Sequence, residues 1–258
     1  MSNSVRIGIL GDFNPEFRSH HATPNSLQHA SRKLGLKVES EWVPTLSLAT
    51  PGAEQILERF DGLWASPGSP YKSFDGMLKG IEFARRRGWP ILATCAGFQY
   101  ALIEFARNVL GIPDADSAEN NSESKNIVIC PVACAVPDRK GNAPKLSGMV
   151  PEIRLRPGSF LQSFYGKENE IVSEEFFCNF EVNPDYEWAM MEAGFPVVAR
   201  GALGEIRAFE SPTHRFFIAT LFQPQLSSTE RNSHPVVLAF VQAAADWGRK
   251  KLDDRVLE

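Results

Sequence analysis

Short apolar runs alternate with amphipathic stretches along the first half of the chain. Val5 to Leu10 (VRIGIL) is β-rich and stops at Gly11-Asp12, the pattern of a buried first strand. A polar loop from Phe13 to Thr23 leads to Pro24-Asn25 and a helical spacing over Ser26 to Leu34. Lys37 to Val43 is the second expected strand. Ala53 to Phe60 puts Ile56, Leu57 and Phe60 on one helical face. Gly62 to Ala65 is a third strand, closed by Pro67-Gly68. Phe74 to Arg87 is an amphipathic helix. Its last turn, Arg85-Arg86-Arg87, suits the negative end of a helix and reads as a solvated cap rather than a binding patch. Pro90 to Thr94 is a fourth strand, and Gly97 to Leu110 a second strong helix.

After Gly111 the rhythm changes. Asp114 to Lys125 is polar and reads as a loop. Strands are expected at Asn126 to Ala135, Val150 to Leu155, Glu205 to Phe209 and Arg215 to Phe222. Helices are expected at Pro184 to Ala193 and, closing the chain, Pro235 to Lys250. Pro137 to Pro144 is the best surface loop. Strands alternating with helices imply βαβ units. The expected fold is therefore α/β, a single domain over 1–258 with a central, mostly parallel sheet flanked by helices.

Composition narrows the function classes. Hydrophobic residues are 43% and charged residues 22%, an ordinary globular mix. A formal net charge of -4 argues against nucleic-acid and anionic-membrane partners. No run approaches the roughly 20 apolar residues of a membrane span, and Met1 to Leu10 lacks a signal peptide's basic and apolar regions. Four cysteines are too few for a disulfide scaffold, so free thiols in a reducing cytoplasm are expected. Cys130 and Cys134 face one way on a strand, yet no His or Cys completes a metal set, and packing is their reading. Neither a metal nor a cofactor is expected. No G-x-x-x-x-G-K-[ST] phosphate loop occurs.

The chemistry concentrates at Ile91-Leu92-Ala93-Thr94-Cys95-Ala96-Gly97. An apolar strand runs straight into a cysteine, and a helix starts at once, the layout of a nucleophile elbow. The sulfur would sit on a sharp turn at the carboxyl edge of the sheet. A helix N-terminus behind it favours negative charge, and the Ala96 N–H can stabilise an oxyanion. The bland alternative is a buried structural cysteine at a strand end.

Cys95-Ala96-Gly97-Phe98-Gln99, Ile103-Glu104-Phe105-Ala106-Arg107-Asn108-Val109 and Asp114-Ala115-Asp116-Ser117-Ala118-Glu119 together resemble the class I glutamine amidotransferase domain of CTP synthases. Phe180-Glu181-Val182-Asn183 is similar to that family's Tyr-Glu-Val-Asn. Leu226 to Ala244, with Ser233-His234-Pro235, is similar to its C-terminal end. The likeness is strong at 60–120 and 180–245 and weaker elsewhere. It implies a flavodoxin-like three-layer fold without the synthetase domain that precedes this one in CTP synthases. It also implies a Cys–His–Glu triad with Cys95 as nucleophile. Where the family has His-Pro-Glu, this chain has Gln223-Pro224-Gln225. Both the base and its orienting carboxylate are neutral amides here. A positioned base is typically worth about 10²–10⁴-fold.

By the same resemblance, Gln99 and Glu119 match residues that hold the glutamine substrate. The arginine that pairs with the substrate carboxylate is Asn179 here. The Gly-Gly oxyanion loop appears as Pro67-Gly68-Ser69-Pro70, with Gly68 kept, Ser69 changed and an N–H lost at Pro70. A replacement base is sought at His20 or His21, in the loop after the first strand, with Asp12 or Glu16 to orient it; a solvated polar loop is the alternative. His29, His214 and His234 read as structural, and Cys178 as packed, although its aligned place lies near the pocket. Three functions stay open. One is a cysteine-dependent hydrolase or transferase acting on an amide or related C–N substrate through Cys95. Another is a non-catalytic, metabolite-binding pseudo-amidotransferase. The third is an ammonia-supplying subunit of a separate synthetase. The expected ligand is small and amide- or amino-acid-like. A second copy or a partner synthetase is the macromolecular partner left open.

Overall fold

A computed structural model describes residues 4–132 and 146–256. In chain order it runs β1 (Ser4–Leu10), α1 (Arg18–Leu34), β2 (Lys37–Val43), α2 (Thr45–Leu48), α3 (Ala53–Leu57), β3 (Gly62–Ala65), α4 (Phe74–Arg87), β4 (Ile91–Thr94) and α5 (Ala96–Asn108). There follow β5 (Ala115–Ser117), β6 (Asn126–Pro131), β7 (Leu146–Leu155), α6 (Phe160–Tyr165), β8 (Ile171–Cys178), β9 (Phe180–Val182), a 3₁₀ turn at Pro184–Tyr186 and α7 (Glu187–Glu192). The chain ends with β10 (Val197–Arg200), β11 (Ile206–Glu210), β12 (Phe217–Thr220), α8 (Pro224–Ser227) and α9 (Pro235–Val256). This is the α/β class expected, strands in sheets with helices against them.

The described residues group into two compact units. The first is Met1–Leu92, His214–Phe217 and Pro224–Glu258; the second is Ala93–Thr213 and Ile218–Gln223. In the first, the strands lie in the order β2-β1-β3-β4, with β1 parallel to β2 and β3. Helices α1 and α9 cover these strands, and α4 packs on α2 and β3. The α2–α4 contact needs Gly76, because a Cβ there would stand 1.9 Å from the Thr45 carbonyl oxygen. Ser73 caps α4 by accepting the Gly76 N–H, and Gly88 ends it at φ 67. The arginine-rich last turn is a solvated cap as expected: Arg86 pairs with Glu82 and Arg87 with Glu54, at exposed positions.

In the second unit the order is β4-β12-β11-β10-β7-β8, beside a three-stranded sheet β5-β6-β9. Pairing from β12 to β8 is antiparallel, while β5 and β6 are parallel. Short connections such as 201–205 between β10 and β11 allow hairpins, where parallel pairs need long crossovers. Helix α5 packs on β5 and β6 and is buried almost all round, from Ala96 to Ala106.

Three expectations need correcting. The polar stretch 114–125 contains β5, since Ala115 and Ser117 point inward and pair with β6. β8, β9 and β10 lie where no strand was expected. β8 alternates in burial, but it turns Glu174 inward and Ile171 and Phe177 outward, so its residue types hide the period of two. Helix α1 begins at Arg18, not Ser26, and carries Pro24 within it. The proline removes the N–H that would have reached the His20 carbonyl, and one position earlier Thr23 Oγ1 donates to the Ser19 carbonyl at 2.9 Å. The expected loop Pro137 to Pro144, and Cys134, lie outside the described residues.

Candidate active site

In the second unit β4 ends at Thr94 and α5 starts at Ala96, so Cys95 alone makes the turn. Its backbone sits at φ 52 and ψ -109, a conformation L residues rarely adopt. Such a conformation costs of order 1–3 kcal/mol and persists only where its surroundings impose it. Here the Cys95 N–H donates to the Thr220 carbonyl at the end of β12, 2.9 Å away. The Cys95 carbonyl accepts the Gln99 N–H and starts the helix. Ala96 and Gly97, the first residues of α5, have no intrahelical acceptor for their N–H groups. Those donors and the helix dipole supply what an oxyanion needs.

Cys178, at the end of β8, stands against Cys95. The two sulfurs are 2.9 Å apart, and Cys95 Sγ also lies 3.5 Å from the Phe177 carbonyl. Cys178 Sγ is 3.7 Å from the Leu221 carbonyl. The hydrogen bond with Cys95, then burial, push the Cys178 thiol well above its usual range. Sequence reasoning took Cys178 for packing; its aligned place near the pocket was the only signal of anything else.

The other residues expected in this unit fall as follows. Gln99 is buried on the first turn of α5, its Nε2 donating to the Phe180 carbonyl at 3.3 Å. Glu119 follows β5, and its Oε2 is sealed from solvent with no hydrogen bond among the described residues. Asn179 is exposed between β8 and β9, its carbonyl taken by the Val132 N–H. Gln223 is buried just after β12, with its N–H donated to the Glu175 carbonyl at 2.8 Å. Nearby β-strands are pinned by Arg207, which is buried and pairs with Glu181 at 2.6 Å and Glu205 at 3.1 Å. Its guanidinium also lies 5.5 Å from the Phe176 ring centroid.

The first unit holds the remaining candidates. His20 and His21 lie in the first turn of α1, not in a loop. His20 is buried, and both of its ring nitrogens are engaged. Nδ1 accepts the Asn14 N–H at 2.9 Å, which makes Nε2 the protonated nitrogen that donates to the Pro67 carbonyl at 2.9 Å. Trp42 packs on the ring at 4.7 Å between centroids, and Phe17 meets it edge-on at 5.1 Å. Burial holds His20 below the usual imidazole range. His21 is exposed and its Nε2 contacts the Pro15 carbonyl at 2.8 Å. Asp12 orients neither histidine by a hydrogen bond: its carboxylate accepts from the Thr45 N–H, the Thr45 hydroxyl and the Lys72 N–H. Glu16 is exposed.

Gly68 and Ser69 are half-buried, and Gly68 has φ 104. A Cβ on Gly68 would come within 2.6 Å of His20 Nε2. Gln225 is buried in α8. His29 meets Ser228 at 3.2 Å, His214 spans the Ala84 carbonyl and the Phe216 N–H, and His234 accepts the Val236 N–H. All three therefore have structural partners. Among the described residues, no group of three or more His, Cys, Asp or Glu could hold a metal ion. Nor is any described helix long and apolar enough to cross a membrane.

Known proteins were compared with this chain. The family model for glutamine amidotransferase class-I matches residues 20–243. The CTP synthase of Saccharolobus solfataricus is 30% identical over 248 residues, 94% of this chain and 45% of that protein. The CTP synthase of Aeropyrum pernix is 32% identical over 252 residues, 95% of this chain and 46% of that protein. The chain thus spans about half the length of the curated relatives it matches. A solved structure described as the Trypanosoma brucei CTPS glutaminase domain with bound acivicin superposes with a TM-score of 0.84. It is 27% identical and covers 94% of each chain. The elbow at Cys95 and the match over residues 20–243 lead to one assignment: this chain belongs to the class-I glutamine amidotransferases.

Proposed function

We propose that the protein is a cysteine-dependent hydrolase or transferase acting on an amide or related C–N substrate, with Cys95 as its nucleophile. The observation that carries this is the elbow: a non-glycine residue held at φ 52 directly before a helix N-terminus. In the proposed reaction the Cys95 sulfur adds to the carboxamide carbon while the Ala96 N–H supports the oxyanion. The C–N bond then breaks, the nitrogen leaves as ammonia with the thiol's proton, and a thioester remains. Water cleaves the thioester to a carboxylate and restores the thiol.

Glu119 supports a ligand with a positive or amide donor, because its sealed Oε2 accepts no bond among the described residues. Gln99 would add a neutral polar contact. Asn179 cannot supply the charge-assisted pairing of an arginine, so glutamine itself should bind less well. Gln223 and Gln225 are the replaced base and orienting residue in this proposal. Neither can take a proton near neutral pH, so turnover should fall short of a histidine-assisted rate by about 10²–10⁴-fold. The same reading assigns the protein to the cytoplasm, where its thiols stay reduced.

The neutral pair Gln223 and Gln225 favours a second reading, a metabolite-binding relative without catalysis. A third is an ammonia-supplying subunit; here the likeness to proteins twice as long motivates a separate synthetase as partner. The deciding experiment follows ammonia release from glutamine and a panel of primary amides, wild type beside Cys95→Ala. Acivicin, the ligand named with the Trypanosoma brucei domain, serves as a probe for a covalent mass increase at Cys95. Release or labelling that disappears in Cys95→Ala supports the catalytic reading. Thermal stabilisation by an amide without either event supports the binding relative.

A further inference from the structure

We propose that Cys95 and Cys178 form a disulfide on exposure to a hydroperoxide, a reversible oxidative modification site that removes the nucleophile from use. Unlike the function above, this proposal requires no amide substrate and stands even if Cys95 catalyses nothing.

The geometry is local to the second unit. The two cysteines are 83 positions apart in the chain, yet their sulfurs lie 2.9 Å from each other. A disulfide bond is about 2.05 Å long, so closure needs only about 0.9 Å, a small rotation of each side chain. Both backbones are well held. Cys95 is bonded to Thr220 and Gln99, and Cys178 sits in the β7–β8 ladder opposite Leu146. Cys95 is 8% and Cys178 6% exposed, so the pair is covered from large reagents and lies within reach of a small peroxide. Hydrophobic packing alone does not call for two sulfurs in contact, because a thiol is a weak donor and a weak acceptor.

The step balances with the peroxide as oxidant. The Cys95 sulfur attacks one peroxide oxygen and the O–O bond breaks. Cys95 becomes a sulfenic acid, and the peroxide is reduced to an alcohol, or to water from hydrogen peroxide. The Cys178 sulfur then displaces the hydroxyl from Cys95. The hydroxyl leaves as water with the Cys178 proton, and the S–S bond forms. Two thiols lose two electrons and two protons in all. A reducing dithiol reverses the change by exchange and is itself oxidised. The raised Cys178 thiol leaves the first attack on peroxide to Cys95, since a protonated thiol attacks peroxide poorly.

The test treats the wild-type protein with equimolar hydrogen peroxide and maps its peptides without reduction. A peptide pair linked through Cys95 and Cys178, two hydrogens lighter and lost on adding dithiothreitol, is the expected dominant product. In Cys178→Ala, Cys95 should instead pass to a dimedone-reactive sulfenic acid and then to sulfinic acid. Wild-type Cys95 that goes to sulfinic acid without the link, or that links to Cys130, overturns the proposal. Wild-type mapping alone decides the matter should Cys178→Ala fail to fold.

Discussion

The Cys95 turn and the His20 turn, two candidate reactive places among the described residues, differ in what their hydrogen bonds consume. At Cys95 the backbone is engaged through Thr220 and Gln99, while among the described residues the sulfur meets another thiol and a carbonyl 3.5 Å away. At His20 the reverse holds. The side chain is the anchor, with Asn14 on one ring nitrogen, Pro67 on the other and Trp42 against its face. A neutral imidazole has one lone pair and one N–H, so His20 has neither left for catalysis. A titratable residue beside a strand end is therefore not a base merely by position; its lone pair must also be unspent.

The sharpest break in this contrast is Cys95→Ala. Any ammonia release or acivicin labelling should fall to background, and activity surviving the change would remove Cys95 from the chemistry. Next comes Gln223→His, which places an imidazole just after β12, where the family resemblance expects one. If the missing base is what limits turnover, amide hydrolysis should rise, by as much as roughly 10²–10⁴-fold, in steady-state assays. An unchanged rate would mean that the neutral pocket is not the limit.

His20→Ala should act on the fold alone. It removes two buried hydrogen bonds and a ring packed between aromatics, a loss of about 2–4 kcal/mol, or a Tm lower by roughly 5–15 °C. The second-order rate of Cys95 alkylation should not change. A rate drop alongside intact folding would return His20 to the list of bases.

The most gradual effect is a pH slope. Burial keeps both His20 and His214 below the usual imidazole range in the folded protein. Below about pH 6.5 the unfolded chain therefore binds protons that the folded chain refuses. Stability should be full above neutral pH and decline as pH falls from about 7 toward 5, by up to about 1.4 kcal/mol per pH unit for each histidine. Urea denaturation across that range should show the decline, and His20→Gln with His214→Gln should flatten it.

Much of the first unit could be read before any coordinates. β2, β3 and α4 have the expected bounds because each carries its own period, its own cap or its own glycine stop. The Cys95 elbow was equally readable, since a strand and a helix that share one residue leave no other geometry. The second unit was harder. β5 has three residues and β9 three, and β8 turns Glu174 inward and Ile171 and Phe177 outward, so their pairing partners rather than their residue types make them strands.

Local order thus identified the Cys95 turn and the family resemblance. Three decisions belonged to the folded chain: that His20, in α1's first turn, spends both nitrogens on Asn14 and Pro67, that Glu119 keeps an oxygen unpaired among the described residues, and that Cys178 lies against Cys95. The reason is separation along the chain. Hydrophobic period and turn chemistry act over a few residues, whereas Asn14, Pro67 and His20, or Cys95 and Cys178, meet only after strands far apart in sequence have paired.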